Sequence, residues 1–178
     1  MDSGQLVIWR EDLREAVASA MLDFEDRYRY PPGENAVSGP DTTAAARIAA
    51  ARPAIPAVLV DLYAAVGAVE LPDIGNGFFL HTASHVTDAH EARDLCHVSG
   101  RHHADVVVFA SDGGGTQYAL ATPAGSPVYR LPPDLVLAGI YSSDDPHFNV
   151  AAPALSNFLD RLLQAVKTFA ASSTPPSL

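Results

Sequence analysis

Three stretches of the chain carry apolar side chains at helical spacing. In residues 11–28 and 55–66, large apolar side chains recur every three or four positions, which predicts two amphipathic helices. Pro31 and Gly67 follow these stretches and end the two helices. Pro153 begins a third helix, whose apolar side chains form a continuous stripe: Leu155, Phe158, Leu159, Leu162, Leu163 and Val166. This stripe predicts a closing C-terminal helix with one buried face.

Between the second and third helices, the pattern changes to short apolar runs that are typical of strands. Residues 78–80 follow a Gly-Asn-Gly turn, and residues 106–110 are apolar on both faces, as a central strand requires. Residues 117–122 alternate, with Tyr118 and Leu120 on one face, and residues 128–131 follow a further turn. Short turns between strands favour antiparallel pairing. We therefore predict an α+β fold: a mainly antiparallel central sheet flanked by N-terminal helices and the closing helix.

The length of 178 residues fits one domain, which we place at residues 1–171. Residues 31–53 are rich in Pro, Gly, Ser and Ala, and we interpret them as a mobile insertion. Asp41 or Thr42 would cap a short alanine-rich helix there, but its few large apolar side chains predict weak docking. Residues 172–178 are predicted to form a disordered tail.

Charge and cysteine content narrow the classes of partner and compartment. The formal net charge is −10, from 11 basic and 21 acidic residues. This charge argues against binding of nucleic acid or an anionic membrane, and it favours a basic protein partner. Cys96 is the only cysteine, so an internal disulfide is impossible and a reducing compartment is the simplest interpretation. With no secretory signal and no long apolar run recognised, we expect a cytoplasmic protein that does not enter the membrane.

Six of the histidines lie within residues 81–103, so a metal site has to be considered. A short helix is predicted to begin at Asp88 and to carry Cys96 on its inward side. This helix would place His90 and His97 two turns apart on one face, roughly 10 Å along its axis. Metal ligands in proteins converge more closely than that. We therefore predict neither a metal nor another cofactor.

No segment combines a nucleophile with a positioned acid and base. The glycine run at residues 112–115 leads into an alternating pattern rather than a helix, and no lysine follows it, which argues against phosphate binding. Ser111 lacks the first glycine of a nucleophile elbow. Cys96 is predicted to be a small buried filler. We therefore predict that the chain is not an enzyme, with a small enzyme using histidine chemistry as an alternative.

The order of these elements resembles the SUKH superfamily, a group named partly for a yeast cell-wall assembly regulator. The likeness covers about residues 50–170 and includes an early apolar helix, a glycine turn, a central strand with its own glycine turn, two further strands and a closing helix. The matching segments are residues 55–67, 75–80, 106–115, 116–120, 127–131 and 152–159. The resemblance implies an α+β domain without a catalytic motif.

The resemblance also implies a function. Many bacterial SUKH members are immunity proteins that bind and block a cognate secreted toxin, frequently a nuclease or deaminase, and others are regulatory or scaffold proteins. We therefore expect a non-enzymatic protein-binding domain that neutralises a toxin, whose basic surface would suit the net charge of −10. The alternative is an intracellular regulatory or scaffold domain that binds a host protein.

Three aspartates are the candidate partner-binding residues. Asp112 lies in the glycine turn after the predicted central strand, and Asp144 and Asp145 lie in the loop before the last helix. Both segments are polar and rich in turn-forming residues, so we expect them at the surface. In an α+β domain of this order they could lie near one another at one end of the sheet. For each residue, a solvated side chain or a local turn cap is the alternative.

Overall fold

The computed structural model describes residues 1–52 and 54–172, and this part of the chain forms helices and strands in an α+β arrangement. The helices are α1 (Ser3–Met21), α2 (Phe24–Tyr28), α3 (Thr42–Ala50), α4 (Ala57–Ala65), α5 (Ala83–Ala92) and α6 (Leu155–Ser172). The strands are β1 (Ala36–Val37), β2 (Val69–Leu71), β3 (Phe78–Leu80), β4 (His97–Ser99), β5 (Ala104–Asp112), β6 (Gln117–Ala121), β7 (Val128–Leu131), β8 (Ile140–Ser142) and β9 (Asn149–Ala152). The predicted fold class is confirmed.

The long strand β5 is the centre of the sheet. The strands run in the order β1-β2-β3-β5-β6-β7-β9, and each neighbouring pair is antiparallel. β3 pairs with the end of β5, where Phe78 lies opposite Asp112, while β4 pairs with its beginning, where His97 lies opposite Asp105. β8 pairs with β4 in a parallel register. Two different strands therefore share one side of β5, and the sheet divides between them.

β5 is apolar on both faces because each face covers a separate cluster of buried side chains. Val107 and Phe109 contribute to the main core, together with side chains from the helices. Val106 contributes to a second cluster on the other face, which also contains Tyr129, Tyr141 and Phe148. The prediction of a central strand with two buried faces is confirmed.

The first and last helices pack against each other at the main core. The apolar stripe predicted for the closing helix is buried along α6, and Leu159 is 1% exposed. The indole Nε1 of Trp9 on α1 donates a hydrogen bond to the backbone oxygen of Leu159 at 2.9 Å. α1 begins earlier than the predicted helix, because Asp2 and Gln5 form a reciprocal capping box at its start. The predicted single helix is interrupted at residues 22 and 23, and α2 continues to Tyr28.

Residues 31–53 contain structured elements that pack on the rest of the fold. β1 pairs with β2, and the side chain of Asp41 caps α3 by accepting hydrogen bonds from the amides of residues 43 and 44. Ile48 of α3 is fully buried in the main core, and Arg47 pairs with Asp88 and Glu91 on α5. One large apolar side chain and two ion pairs therefore dock this helix, where the composition predicted weak docking of a mobile insertion.

The helix predicted to begin at Asp88 begins five residues earlier, so that prediction is wrong in its bounds. Thr82 caps α5 by accepting a hydrogen bond from the amide of His85, and Arg93 ends it at a positive φ of 57°. Cys96 therefore lies beyond the helix, with intermediate exposure, and His97 lies in β4. The pattern misled because the threonine cap lies further toward the N-terminus than the acidic pair that suggested a start.

The predicted disordered tail, residues 172–178, is only partly described. Ser172 is the last residue of α6, and residues 173–178 lie outside the described residues. Within the described chain, none of the helices combines the length and apolar character that crossing a bilayer requires.

Candidate functional site

A small cavity lies where the sheet divides between β3 and β4, under α5. Its volume is about 90 Å³. Its walls combine aliphatic side chains with several imidazole rings and a carboxamide. The lining residues are His81, His85, Val86, Ala89, His90, Asp94, Leu95, Val107, Val108 and Gln117. We call this space the histidine cavity.

His81 is the most constrained ring of the histidine cavity. It follows β3 directly, and its Nε2 is 2.9 Å from the hydroxyl oxygen of Ser111 on β5. The hydroxyl of Tyr63 donates a hydrogen bond to the backbone oxygen of His81 at 2.8 Å. The ring of His85 lies edge-on to that of His81, with centroids 4.6 Å apart. Burial, reinforced by the nearby His85, lowers the pKa of His81 to about 4, so this ring is neutral near pH 7.

Two ring nitrogens around the histidine cavity lack hydrogen-bond partners. Within the described part of the chain, neither Nδ1 of His81 nor Nδ1 of His90 has one, although both atoms are buried. An unpaired buried polar atom costs roughly 1–3 kcal/mol of stability. Two such atoms on residues that line one cavity therefore mark it as a candidate binding site.

The remaining clustered histidines belong to a separate group at the start of β5. Nδ1 of His97 is 2.8 Å from a carboxylate oxygen of Asp105, and its ring contacts that of His103. His102 packs on Phe148 of the second cluster. The expectation that His90 and His97 share one helix face is therefore wrong. Across residues 1–52 and 54–172, no three or more His, Cys, Asp or Glu side chains are grouped so that they could hold a metal ion.

Ser111 and His81 correspond to two of the three members of a catalytic triad, and their surroundings argue against acyl transfer. A serine nucleophile needs a base that a third group orients, and here Nδ1 of His81 has no acidic partner among the described residues. A base with a pKa of about 4 is also weak. In the glycine turn beside Ser111, the amides of residues 113–116 already donate to Asn76 or Asp112. They are therefore not available as oxyanion donors.

Sequence reasoning missed the pairing of Ser111 with His81. The two residues are 30 positions apart and meet only because β3 and β5 are neighbours in the sheet. The signal that could have found them is the register of these strands, since Phe79 lies opposite Ser111 and His81 follows two residues later.

Asp112 lies at the end of β5 and holds its own turn. One carboxylate oxygen accepts hydrogen bonds from the amides of Gly114 and Thr116, each at 2.9 Å. The residue is only half-buried, so its carboxylate contributes negative charge at the surface. Asp112 is therefore a local turn cap, the alternative considered for it above, and it also presents its charge on a rigid turn.

Asp144 and Asp145 lie in a loop that is fixed by buried Ser143. The hydroxyl of Ser143 donates to the backbone oxygen of Ser99 at 2.6 Å and accepts from the amide of His102 at 2.8 Å. Asp144 is exposed and accepts from the amide of Arg101, while Asp145 is half-buried. The loop is therefore held against the segment that precedes β5.

The structure does not bring the three aspartates together. Asp112 ends β5, whereas Asp144 lies beside Arg101, before β5 begins at Ala104. Eight residue steps along an extended strand span roughly 25 Å. The expectation that both loops meet at one end of the sheet is therefore wrong, because the last loop returns to the opposite end of the central strand.

A hairpin beside the Asp144 loop exposes aliphatic side chains. Leu137 and Ile140 exchange both backbone hydrogen bonds across a turn at residues 138 and 139, which places their side chains on one face. Leu135, Leu137 and Ile140 are 68%, 64% and 42% exposed. Val136 packs against the second cluster, so Leu135 and Leu137 face away from it. We call residues 135–140 the exposed hairpin. Sequence reasoning missed it, although the short apolar run at residues 135–137 before Ala-Gly was a usable signal.

The comparisons with known proteins add no relative. No protein-family model, no curated protein and no solved structure matches the chain. The resemblance to the SUKH superfamily therefore stays a prediction from the sequence.

Proposed function

We propose that this chain is a non-enzymatic protein-binding domain of the immunity type, which neutralises a cognate toxin by covering a basic surface of it. The observation that carries the proposal is the exposed hairpin with acidic side chains beside it. Asp134 precedes the hairpin, and Asp144 and Asp145 lie just beyond β8, after Ser143. Protein interfaces combine an apolar centre with a polar rim, and this surface has both parts.

The charge of the chain supports a basic partner. A net charge of −10 attracts a positively charged surface over several ångströms, which accelerates encounter and disfavours acidic partners. The loop that carries Asp144 and Asp145 is hydrogen-bonded through Ser143, so its charges are presented with little loss of conformational freedom on binding. The aliphatic side chains of the exposed hairpin would supply the contact that slows dissociation.

The experiment starts with the tagged full chain purified from its native host and identification of the protein that it binds. That protein is expressed alone in a bacterium to test toxicity, and co-expression of the chain tests protection. Binding of the two purified proteins is then measured for Leu137→Asp and for Ile8→Asp. Ile8 on α1 is 63% exposed, against 64% for Leu137, so it is a matched control outside the hairpin.

We expect Leu137→Asp to weaken binding at least about tenfold and to reduce protection, while Ile8→Asp leaves both unchanged. A toxic partner that binds equally well to both variants would remove the exposed hairpin from the proposal. A host protein that is harmless when expressed alone would contradict the immunity function and favour the regulatory or scaffold alternative.

A further inference from the structure

The exposed hairpin is also an open edge of the sheet. Ala138 and Gly139 have φ angles of 51° and 77°, the positive pair that a tight two-residue turn between antiparallel strands requires. Leu137 and Ile140 close this turn by exchanging both backbone hydrogen bonds. The segment before the turn therefore lies against β8 as a short additional strand, on the side of β8 that faces away from β4.

The backbone of Val136 has no hydrogen-bond partner at this edge. Because Leu137 turns its N–H and C=O toward Ile140, the preceding residue of an extended strand turns its own N–H and C=O the other way. Among the residues that the structure describes, none bonds to either backbone group of Val136. The side chain of Val136 packs on the second cluster, so the flanking Leu135 and Leu137 lie on the opposite face, 68% and 64% exposed. An open edge with aliphatic side chains beside it is a template for pairing with another chain.

The sheet edges formed by β1 and β9 are shielded by arginine side chains. At the β1 edge, Nε of Arg14 donates a hydrogen bond to the backbone oxygen of Val37 at 2.8 Å. At the β9 edge, Arg161 of α6 donates a hydrogen bond to the backbone oxygen of Ala151. A side chain bonded in this way occupies the place of an added strand. In the described part of the chain, no side chain bonds to the backbone of Val136, so the hairpin edge is the accessible one.

We propose that the hairpin edge binds an extended, basic segment of the partner protein as an added antiparallel strand, through the N–H and C=O of Val136. Antiparallel pairing is favoured because one residue of the segment then exchanges both hydrogen bonds with Val136. The neighbours of that residue cover Leu135 and Leu137 with aliphatic side chains. Asp134 before the hairpin and Asp144 just beyond β8 are exposed, and their charges attract basic side chains at the ends of the segment. This inference rests on the proposed function for the identity of the partner.

A second copy of the chain fits this edge less well than a basic segment does. Pairing of two copies would join two chains that each carry a net charge of −10, and like charges disfavour association. A basic segment gains from the same charge. The occupant is therefore a strand of a different protein.

The test is a nuclear magnetic resonance titration of the ¹⁵N-labelled full chain with the peptide Lys-Val-Thr-Val-Lys, acetylated and amidated at its ends. The two valines reach Leu135 and Leu137 when the threonine lies opposite Val136. In this register the threonine amide donates to the C=O of Val136, whereas the valine amides point to solvent. We expect a saturable shift of the Val136 amide resonance, with a dissociation constant roughly in the millimolar range.

Methylation of single peptide nitrogens separates strand addition from contact through side chains alone. A methyl group on the threonine nitrogen removes the donor to Val136 and should weaken binding at least about fivefold. The same group on the first valine nitrogen faces solvent, so that peptide is the matched control and should bind like the original one. The peptide Glu-Val-Thr-Val-Glu should bind more weakly than the lysine peptide at low salt, and the difference should shrink at high salt.

Two variants at one position locate the binding on the chain. Val136→Pro removes the backbone N–H of the edge and should weaken binding of the lysine peptide at least about fivefold. Val136→Ile keeps that N–H and should bind like the original chain. Backbone spectra of each variant verify the fold. The methylated peptides are measured on the original chain, so the test stands even if Val136→Pro does not fold.

Three results would overturn the inference: no saturable shift at Val136, equal binding of the two methylated peptides, or unchanged binding by a folded Val136→Pro chain. Equal binding of the methylated peptides would mean that side chains alone hold the segment, which leaves the proposed function in place. A dimer of the free chain in sedimentation measurements, lost in Val136→Pro, would assign the edge to a second copy and would also overturn the inference. The expected alternation together with a harmless partner from the native host would support strand addition and contradict only the immunity function.

Discussion

Replacing Leu159 by alanine tests the packing of α6, and the structure sets the size of the effect. The side chain is 1% exposed in the main core. Removing its three outer carbons forfeits about 2.4 kcal/mol of transfer free energy. A cavity that α1 and the sheet cannot fully close adds up to about 2 kcal/mol. We expect the free energy of unfolding to fall by about 3 kcal/mol.

Urea denaturation monitored by tryptophan fluorescence measures this loss directly. Trp9 is the only tryptophan and is hydrogen-bonded to the backbone of residue 159, a contact that the substitution leaves in place. With a typical slope of about 2 kcal/mol per molar urea, the midpoint should fall by about 1.5 M. Leu22→Ala is the control, because Leu22 is 81% exposed and its truncation should change stability by less than about 0.5 kcal/mol. Equal midpoints for the two variants would refute the packing of α6.

Four further outcomes are expected. Gly139→Ala should cost about 1–3 kcal/mol, measured by thermal unfolding, because residue 139 has a φ of 77° and a Cβ there would lie 2.6 Å from a backbone oxygen. Because the pKa of His81 is about 4 in the folded chain and near 6.5 when unfolded, stability should fall as the pH drops from 6.5 to 4, and His81→Gln should flatten this slope in urea titrations. The protein should purify without stoichiometric zinc; about one zinc per chain by elemental analysis would contradict this. Against an identified partner, Asp144→Asn with Asp145→Asn should slow association and weaken its salt dependence in stopped-flow measurements, whereas Asp112→Asn, about 25 Å away, should not.

Periodicity predicted those parts of the fold whose signals lie in consecutive residues. The stripe of α6 and the two-faced apolar run of β5 depend on local spacing, and both appear in the structure as expected. The bounds of α5 were not predicted, because its start depends on a hydrogen bond from the amide of His85 to the Thr82 side chain. Several residues near Asp88 could have served as caps, and spacing alone does not choose among them.

The candidate sites were predicted less well because they depend on which strands become neighbours. The loop that carries Asp144 was expected at the surface, and it is there. Its distance from Asp112 follows from the hydrogen bonds that Ser143 makes to residues 99 and 102, which no local pattern reveals. The pairing of His81 with Ser111 has the same cause. Neither contact could be derived without the order of the strands.

The histidine cavity is a consequence of that strand order. The last backbone hydrogen bond between the β3 segment and β5 runs from the amide of His81 to the oxygen of Phe109. The β4 segment pairs with β5 from the point where the amide of Val106 donates to the oxygen of Cys96. The chain between β3 and β4 is α5 with its flanking turns, and a helix cannot continue the ladder of the sheet. A space therefore remains beside Val107 and Val108, and the side chains around it determine only its chemistry. Because the backbone creates this space, single substitutions such as Ala89→Leu should change what it holds without changing the fold.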